Sequence, residues 1–504
     1  MIRSHRFLYI PDRLDFNELL QSHPIDKYKA VTADKLAFIC HSIILVSLKF
    51  RNDTDLINDF VPLHSQILKR SIPNYQVCKQ YLIDAKVIEC RNEYVIGEQS
   101  IGFKFCSNYF GMGLKKYEIK SRDFQKRIST SESKDQFQKK LNSRAKHLYQ
   151  YLEDGKLNIS RDAALEWIEN SRVKHLEEIR KTQYWQKYDQ LKDSINDRFD
   201  KYVMSVEQFN EGWNNPKVDI SGHRFFTVLT NLKKELRNYI TYDRKKLVSL
   251  DFKCSQPYLT LLLLSKDFYS SDLSKDAITL KKIYPELYKH LKAEGYLTGL
   301  KRISVETKTL GTKVLDVADY KKSIIDNDYY ECLATLISSF TNGELILSRD
   351  AAKTQSHYIL FADPKKMSWA VGYNAFKKAF PTVAKLFCIL KSRSYNDLAI
   401  LLQRIESELV IQKITKEFVK QFPGIPIYTI HDSIITISEY STKLISISGD
   451  LSRKMIGVFP KIEVEDWIPS RANNLMNQIK FSKAEKKIIK NLMFKNKLVH
   501  QNKN

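Results

Sequence analysis

Two short apolar segments that lie far apart in the chain each end in an aspartate. The first is Leu247-Val-Ser-Leu-Asp251, and the second, Ile425-Pro-Ile-Tyr-Thr-Ile-His-Asp432, runs on into another apolar stretch. The first segment is typical of a buried strand, and the second predicts a strand, a tight polar turn and a returning strand. Such a hairpin would lift Asp432 to the edge of a sheet, beside the end of the first strand. Either aspartate alone would be read as an ordinary strand-end or turn residue.

Two carboxylates on rigid strands suit a pair of divalent cations. Phosphoryl transfer with two Mg²⁺ ions about 4 Å apart requires carboxylates on rigid elements that hold the ions in place. One ion activates the attacking hydroxyl group, and the other stabilises the leaving group. Asp251 and Asp432, each at the end of an apolar segment, fit this requirement for two Mg²⁺ ions, and their surroundings decide how strongly.

The charge of the chain favours a polyanionic partner. The 504 residues include 82 Lys and Arg against 58 Asp and Glu, which gives a formal net charge of +24 and a pI near 9.4. The hydrophobic fraction of 43% is that of a globular protein, and the length allows several domains. A folded chain with this charge attracts nucleic acid, although a basic protein without such a partner would have the same composition.

The cysteines and the apolar segments bear on the compartment. The seven cysteines are an odd number and form no C-x-x-C pair, which argues against a zinc ribbon or a disulfide framework. The N-terminal residues lack the apolar region of a secretory signal. The longest apolar run, Tyr258–Leu264, is too short to cross a bilayer. We expect a cytoplasmic protein that has no membrane partner.

The surroundings of the two aspartates resemble motifs of a known superfamily. Asp251-Phe-Lys-Cys-Ser-Gln-Pro resembles motif A, and Thr429-Ile-His-Asp-Ser resembles motif C, of family A DNA polymerases and the related single-subunit phage-type RNA polymerases. The resemblance implies an α+β, right-hand polymerase fold with palm, fingers and thumb. It also implies that the backbone carbonyl of Phe252 joins Asp251 and Asp432 as a metal ligand.

A segment between these motifs resembles motif B of the same superfamily. It reads Arg349-Asp-Ala-Ala-Lys353-Thr-Gln-Ser-His357-Tyr-Ile-Leu-Phe361, and its four named residues would lie along one stripe of a helix. The resemblance implies that Arg349 and Lys353 bind the incoming nucleoside triphosphate, with Lys353 also placed to protonate pyrophosphate as a catalytic residue. It implies that His357 and Phe361 lie against the sugar and base.

Further residues acquire roles only through this resemblance. Gln256, five residues after the motif A aspartate, would lie near the nucleotide sugar. The residues implied to contact the primer–template are Arg224, Asn231, Arg237, Gln403 and His431. The partners implied are primer–template DNA or RNA and nucleoside triphosphates.

The chain divides by composition and by these motifs. The predicted regions are an N-terminal module at 1–118, a basic helical thumb-like region at 119–215, palm at 216–265, fingers at 266–395, palm again at 396–484 and a polar basic tail at 485–504. In the first region, a helix at Tyr75–Leu82, a strand after Ala85 and short strands at Tyr94–Gly97 and Gly102–Phe105 have the order of a winged-helix DNA-binding module. An ordinary α+β module fits the same pattern.

Three departures from the family pattern bear on the sugar. DNA-making members have a Glu where this chain has Gln256, and Ser433 follows the RNA-making branch. Phe361 lacks the hydroxyl of the Tyr found in RNA-making members, which favours deoxynucleotides. We favour DNA synthesis, as in a DNA replication enzyme of a phage or mobile element.

Several alternatives stay open. They are a small DNA-dependent RNA polymerase, a non-catalytic DNA-binding replication or mobile-element protein, and an untemplated transferase. The spacing from motif A to motif B is longer than in the family, and that from B to C is shorter. An insertion around Leu280–Leu291 with a trimmed return, or a misplaced motif B, would explain both. No Asp-x-Glu pair in a strand precedes the helical region, so we predict no proofreading exonuclease.

Overall fold

The computed structural model describes residues 7–23, 31–49, 60–91, 101–109, 113–131, 136–181, 188–212, 216–270, 277–305, 315–367 and 369–476, together with 481, 485, 486, 488 and 489. These residues form a mixed α+β protein in which helices predominate. The α+β class predicted from the sequence is confirmed, whereas the arrangement of palm, fingers and thumb stays a prediction. The predicted tail at 485–504 falls almost wholly outside the described residues.

Buried apolar side chains form two large clusters, one drawn from residues 8–128 and the other from residues 141–489. The first contains β1 Phe7–Pro11, α1 Phe16–Ser22, α2 Ala33–Lys49, β2 Val61–Pro62, α3 Ser65–Ser71, α4 Tyr75–Asp84, β3 Ile88–Arg91, β4 Gly102–Phe105, β5 Leu114–Glu118 and α5 Arg122–Ser131. β1 pairs with β5, and a second sheet has the order β2-β4-β3. The predicted helix and strands are confirmed as α4, β3 and β4, and the predicted strand at Tyr94–Gly97 lies outside the described residues.

The first core extends past the boundary that composition suggested. Phe124 and Ile128 of α5 are buried in it, although residues from 119 onward were assigned to the helical region. A small third cluster of Tyr9, Ile44 and Met204 joins this module to the rest of the chain. The N-terminal module is therefore docked on a long helix of the next region.

The region that follows is largely helical in its described residues. Its elements are α6 Gln136–Asn142, α7 Lys146–Glu153, β6 Leu157–Ile159, α8 Arg161–Lys181 and α9 Tyr188–Asn210. The long helices α8 and α9 pack against each other, with the rings of His175 and Phe199 in edge contact at 5.3 Å between centroids. Trp167 on α8 donates a hydrogen bond to the carbonyl of Ala472 (3.0 Å), which ties this pair to the C-terminal part of the chain.

A central antiparallel sheet carries both aspartates. The elements in and around it are β7 Lys217–Val218, β8 Phe225–Phe226, α10 Val228–Asn231, β9 Ile240–Tyr242, β10 Lys245–Phe252, α11 Ser255–Leu263, β11 Ile427–Ile430, β12 Ser433–Ile437, α23 Ser441–Ile456, β13 Ile462–Asp466 and α24 Pro469–Met476. The strand order is β11-β12-β10-β9-β6, and β13 also pairs with β10. Leu247, Val248 and Leu250 of β10 are buried, so the strand that carries Asp251 is fixed by the core.

The part of the chain between α11 and the β11–β12 hairpin is helical. Its helices are α12 Leu280–Ile283, α13 Pro285–Ala293, α14 Tyr296–Val305, α15 Leu315–Ile325, α16 Tyr329–Phe340, α17 Arg349–Phe361, α18 Pro364–Met367, α19 Val371–Ala379, α20 Pro381–Leu390, α21 Asp397–Ser407, a π-helical turn Glu408–Ile414 and α22 Thr415–Gln421. The segment Leu280–Leu291 forms α12 and most of α13. The predicted motif B helix is confirmed with the bounds Arg349–Phe361.

The structure describes the apolar helices and the cysteines as follows. Among the described residues, no helix combines the length and the apolar composition needed to cross a bilayer. All seven cysteines lie in the described part of the chain, and none forms a disulfide.

Candidate functional site

The β11–β12 hairpin brings the two aspartates together. β12 pairs with β10 in a register that sets Ser433 directly opposite Asp251, and His431-Asp432 forms the turn between β11 and β12. His431 adopts the left-handed conformation (φ 57°) that a two-residue turn requires. Cross-strand neighbours in such a ladder lie about 5 Å apart between Cα atoms, and Asp432 is the residue next to Ser433. The predicted convergence of strand end and hairpin turn is therefore present.

Neighbouring side chains hold the carboxylate of Asp251. The Ser433 hydroxyl donates a hydrogen bond to Oδ1, and the Ser249 hydroxyl donates to Oδ2 (3.2 Å). Glu465 of β13 lies opposite Ser249 and is paired with Lys234 (2.9 Å) and Arg471 (2.7 Å). We call Asp251, Asp432, Ser433 and Glu465 the carboxylate edge.

The electrostatics of this edge favour a cation. Burial raises the pKa of Asp251 above its ordinary value, and the hydrogen bond from Ser433 opposes that rise. The carboxylates of Glu465 and Asp432 add to the rise, because each disfavours a further negative charge nearby. A bound divalent cation would relieve both the burial cost and the repulsion.

The donor set of the carboxylate edge fits magnesium. Mg²⁺ prefers oxygen ligands and is commonly held by one or two carboxylates, with waters and substrate phosphates completing the shell. Asp251 and Asp432 supply two such carboxylates. In the part of the chain that the structure describes, no group of three or more His, Cys, Asp or Glu side chains is arranged to hold a metal by itself. Substrate oxygens would therefore have to complete the shell.

A buried ion pair lies behind the carboxylate edge. Arg224 forms a two-pronged pair with Glu406 of α21, from Nε to Oε1 (2.9 Å) and from a terminal nitrogen to Oε2 (2.8 Å). Gln256 at the start of α11 donates to the same Oε2 (2.8 Å), and Glu406 is only 2% exposed. Burial raises the pKa of Glu406, the guanidinium of Arg224 opposes this, and the carboxylate of Asp432 adds to it. We call Arg224, Gln256 and Glu406 the Glu406 cluster.

The Glu406 cluster uses groups that were expected to meet substrate. Arg224 is predicted to contact a primer–template phosphate, yet its guanidinium is bidentate on Glu406. Gln256 is predicted to lie near the sugar, yet its amide nitrogen is held by Glu406, while its Oε1 is buried without a hydrogen-bond partner. Both predictions remain, and each would require this cluster to open or the substrate to lie beside it.

The other predicted primer–template residues lie on separate elements. Gln403 lies against Gly222 so closely that a Cβ there would come within 2.8 Å of the Cβ of Gln403. Asn231 is exposed at the end of α10. Arg237 donates to the carbonyl of Leu232 (3.2 Å). The ring of His431, in the hairpin turn, contacts that of Phe226 edge-on, at 5.7 Å between centroids.

Helix α17 displays the predicted nucleotide-binding residues. Ser348 caps its N-terminus by accepting from the backbone N–H of Ala351 (3.3 Å). Arg349 forms an ion pair with Asp328 (2.9 Å), and its guanidinium lies over the ring of Tyr330 at 5.2 Å from the centroid. Both partners stand at the start of α16. The side chain of Arg349 is still 42% exposed, so a solvent-borne anion can compete for it.

The ring of Tyr330 lies close to both basic residues of α17. Lys353, one turn after Arg349, is exposed, and its ammonium lies 6.0 Å from the centroid of the Tyr330 ring. Burial raises the pKa of Tyr330 far above its ordinary value, and Cys254 and Asp432 add to the rise while Arg349 opposes it. The ring therefore lies beside the two basic residues and within electrostatic reach of Asp432.

The second half of α17 is more buried. The rings of His357 and Phe361 are 5.8 Å apart between centroids, and both side chains are half-buried. Burial lowers the pKa of His357, and the charge of Lys353 lowers it further. The C-terminus of the helix is held by buried Lys391, whose Nζ donates to the carbonyls of Ile359 (2.9 Å) and Ala362 (3.0 Å). Burial lowers the pKa of Lys391 to about 8.

A cavity of about 190 Å³ opens between the end of β10 and α15. Lys253, Cys254, Asp328 and Lys461 are among the residues that line it. Pockets for drug-sized ligands usually measure about 300–1,000 Å³. Because Asp328 is also the partner of Arg349, the cavity borders that ion pair.

Sequence reasoning missed the partners rather than the motif residues. Glu406, Asp328, Tyr330 and Glu465 belong to none of the motifs, although each contacts or electrostatically couples to a motif residue. A signal existed for Glu406, since it stands within the apolar stripe of α21. Asp328 precedes a helix and reads as an ordinary N-cap, which it also is.

Comparisons with known proteins add little. No family model and no curated protein matches the chain. Among solved structures, it is similar to the POL domain of Pol1 from M. smegmatis in complex with DNA primer-template and dNTP. That similarity has 9% sequence identity, covers 69% of this chain and 74% of the other, and has a TM-score of 0.26. A score this low does not establish a shared fold, so the function must be inferred from the site itself.

Proposed function

We propose that this chain is a template-directed nucleotidyltransferase that extends a 3′ hydroxyl and favours deoxynucleoside triphosphates. The observation that carries the proposal is that β12 sets Asp432 next to the residue opposite Asp251. The exposed Arg349 and Lys353 of α17 both lie over the ring of Tyr330, which is electrostatically coupled to Asp432. Oxygen ligands for cations and basic groups for a triphosphate are the two sets of groups that phosphoryl transfer needs.

Each residue has a role in the proposed reaction. Asp251 and Asp432, with the backbone carbonyl of Phe252, would hold two Mg²⁺ ions, whose chemistry is to acidify the 3′ hydroxyl and neutralise charge on the leaving group. Arg349 would leave Asp328 to grip the triphosphate as a fork, and Lys353 would bind it as a point charge. The 3′ hydroxyl would give its proton to water, and its oxygen would bond to the α-phosphorus as the bond to the α–β bridging oxygen breaks. Lys353 would give a proton to the leaving pyrophosphate and regain one from water.

Primer extension tests this proposal. The full chain is given a primed template, Mg²⁺ and either deoxynucleotides or ribonucleotides, on DNA and RNA templates in turn. Template-dependent extension with deoxynucleotides is the expected result. Duplex binding without any extension would support a non-catalytic DNA-binding protein, and extension that ignores the template would support an untemplated transferase.

One contact favours a second candidate, a small RNA polymerase. Ser433, the residue that follows the RNA-making branch, donates a hydrogen bond directly to Asp251. Preferential incorporation of ribonucleotides in the same assay would decide for this candidate without changing the proposed site.

A further inference from the structure

The N-terminal module contains a helix-turn-helix. Helix α3 ends at Ser71, the three residues Ile72-Pro-Asn follow, and α4 begins at Tyr75. A turn of three or four residues between two helices is the plan of DNA-binding helix-turn-helix units. Here the turn is rigid, because Ile72 is fully buried and its carbonyl accepts from the backbone N–H of Tyr75 (3.0 Å).

The surrounding elements support α4 from one side only. The elements of this part of the chain have the order α2, β2, α3, α4, β3, β4. The hairpin of β3 and β4 therefore comes directly after α4, the second helix of the unit, and β2 pairs with the outer side of β4. The inner face of α4 buries Tyr75, Cys78, Tyr81 and Leu82. The hydroxyl of Tyr81 donates to the carbonyls of Leu19 (3.1 Å) and His23 (2.9 Å), which locks the helix onto α1.

The outer face of α4 is exposed to solvent. Gln76, Gln80 and Asp84 occupy successive turns of this face, and all three are exposed. Gln80 donates to Asp84 (2.8 Å), so its amide group is already ordered. Side-chain amides can read adenine in the major groove by a two-pronged hydrogen bond. The polar face therefore has groups suited to base edges.

Basic residues flank this face. Lys69 and Arg70 are exposed in the last turn of α3, just before the turn that leads into α4. Helix α5 packs on α3 and exposes Arg122. In helix-turn-helix complexes the first helix crosses the DNA backbone while the second enters the major groove, so basic groups on α3 stand where phosphates would lie.

We propose that this module docks on duplex DNA, with α4 in the major groove and Lys69 and Arg70 on the backbone, away from the carboxylate edge. The major groove of B-form DNA is about 12 Å wide and admits a helix, whereas that of A-form RNA is too narrow. The partner is therefore double-stranded DNA. This inference does not depend on catalysis, and it would hold for a chain that makes no nucleic acid.

The salt dependence of binding tests the docking. The full chain is titrated into a short blunt DNA duplex with dideoxy ends, without Mg²⁺, at several NaCl concentrations. Each phosphate contact contributes about 0.9 to the slope of log affinity against log salt, so Lys69→Ala with Arg70→Ala should lower the slope by about 2. Lys443→Ala with Lys454→Ala removes the same charge from exposed positions on α23 and should leave the slope nearly unchanged.

Two further arms make the result specific. A preferred sequence is first selected from a random duplex pool, and Gln76→Ala with Gln80→Ala should then reduce the preference for it at an unchanged salt slope. An RNA duplex of the same sequence should bind the unsubstituted chain and the Lys69/Arg70 variant equally. Equal slopes for the Lys69/Arg70 variant and the Lys443/Lys454 variant would overturn the proposal, because attraction would then follow net charge alone.

Discussion

The two sides of the candidate site differ in how their charged groups are held. At the carboxylate edge and in the Glu406 cluster, the charged side chains are partly or fully buried, and Asp251, Glu465 and Glu406 already have protein partners. On α17, Arg349 and Lys353 are exposed, and the ion pair of Arg349 with Asp328, the one formed by this helix among the described residues, lies in solvent reach. The charged groups on the sheet side are therefore mostly held by the protein itself, whereas the basic groups of α17 remain accessible to a ligand from solvent.

This difference shows when a sequence motif predicts the ligand of a residue. A motif gives the position of a residue in the chain, but it does not give the side chain that the residue contacts in the folded protein. Where the side chain is exposed, as for Lys353, the implied ligand has no rival among the hydrogen bonds and ion pairs of the described residues. Where a partner from elsewhere in the chain reaches the residue, as Glu406 reaches Arg224, the implied contact must compete with a buried ion pair.

Removing one carboxylate should have the largest effect on activity. Asp251→Asn or Asp432→Asn should lower the extension rate by about a thousandfold or more, because several kcal/mol of transition-state charge stabilisation is lost. Primer extension under single-turnover conditions measures it, with duplex binding followed in parallel and expected to change little. Asp450→Asn, at an exposed position of α23, is the control. Undiminished extension by either site variant would refute the carboxylate edge as the catalytic centre.

Breaking the Glu406 cluster should have the largest effect on stability. Glu406→Gln leaves the Arg224 guanidinium without its counter-charge in a buried place, which should cost about 3–5 kcal/mol of unfolding free energy. Urea unfolding measures the loss. Glu417→Gln removes the partner of exposed Lys420 on α22 and should cost less than about 1 kcal/mol. Similar losses for the two variants would mean that the contrast between buried and exposed charges is false.

Removing a basic group of α17 should affect substrate binding rather than stability. Lys353→Ala should raise the KM for nucleotide about 10- to 100-fold, the range expected when a charge-assisted contact worth about 1.5–3 kcal/mol is lost. Steady-state primer extension gives the KM, and thermal unfolding should be unchanged. Lys366→Ala, exposed just beyond the same helix, is the matched control. If both variants leave the KM unaltered, α17 does not bind the triphosphate.

Much of the fold around the site was predictable because its signals are local. The apolar run of β10, the turn at His431-Asp432 and the stripe of α17 are each contained in fewer than about fifteen neighbouring residues, so local sequence patterns suffice to predict them. The approach of Asp432 to Asp251 followed from the hairpin. The pairing of β13 with β10, which adds Glu465, could not be predicted, since nothing in either strand specifies which of the remaining strands lies beside it.

The buried network escaped prediction for a related reason. Arg224 and Glu406 are distant in the chain, and a buried ion pair leaves no periodic pattern. The acid in the apolar stripe of α21 signals only that some partner exists, and its identity comes from tertiary packing. Sequence reasoning therefore found the strands and the helix but assigned Arg224 and Gln256 to substrate without knowing that Glu406 already binds both.

A smaller change tests the motif B assignment. Phe361→Tyr adds a hydroxyl at the position where the RNA-making branch has one, and it should shift the ratio of ribonucleotide to deoxynucleotide incorporation upward by several-fold, within the roughly 1–3 kcal/mol that one such contact can contribute. Competition between the two nucleotide pools measures the ratio. Tyr358→Phe removes a hydroxyl from the exposed side of the same helix and should leave the ratio as it is. An unchanged ratio in the Phe361 variant would count against this helix as the sugar-sensing element.

The smallest predicted effect concerns the cost in folding stability of the buried carboxylate of Asp251. Because burial and its acidic neighbours raise the pKa of Asp251 in the folded chain, the folded state binds its proton more tightly than the unfolded state does. The stabilisation from this group is complete below its unfolded pKa and disappears as the pH rises through the folded pKa. At neutral pH the ionised carboxylate therefore opposes folding. Asp251→Asn should raise the Tm at pH 7 without metal.

The Tm difference between Asp251→Asn and the unsubstituted chain should depend on pH and on Mg²⁺. The Tm gain of Asp251→Asn should shrink as the pH falls toward the ordinary range of an Asp, where both chains carry a neutral group. Added Mg²⁺ should raise the Tm of the unsubstituted chain and do less for the variant, because binding to the native state stabilises it by mass action. Differential scanning calorimetry across pH, with and without Mg²⁺, gives both results. If the variant instead has a lower Tm than the unsubstituted chain at pH 7 in metal-free buffer, the hydrogen bonds from Ser433 and Ser249 stabilise the fold by more than the buried charge destabilises it. The carboxylate edge would then serve folding stability, which would contradict its proposed role as a cation site.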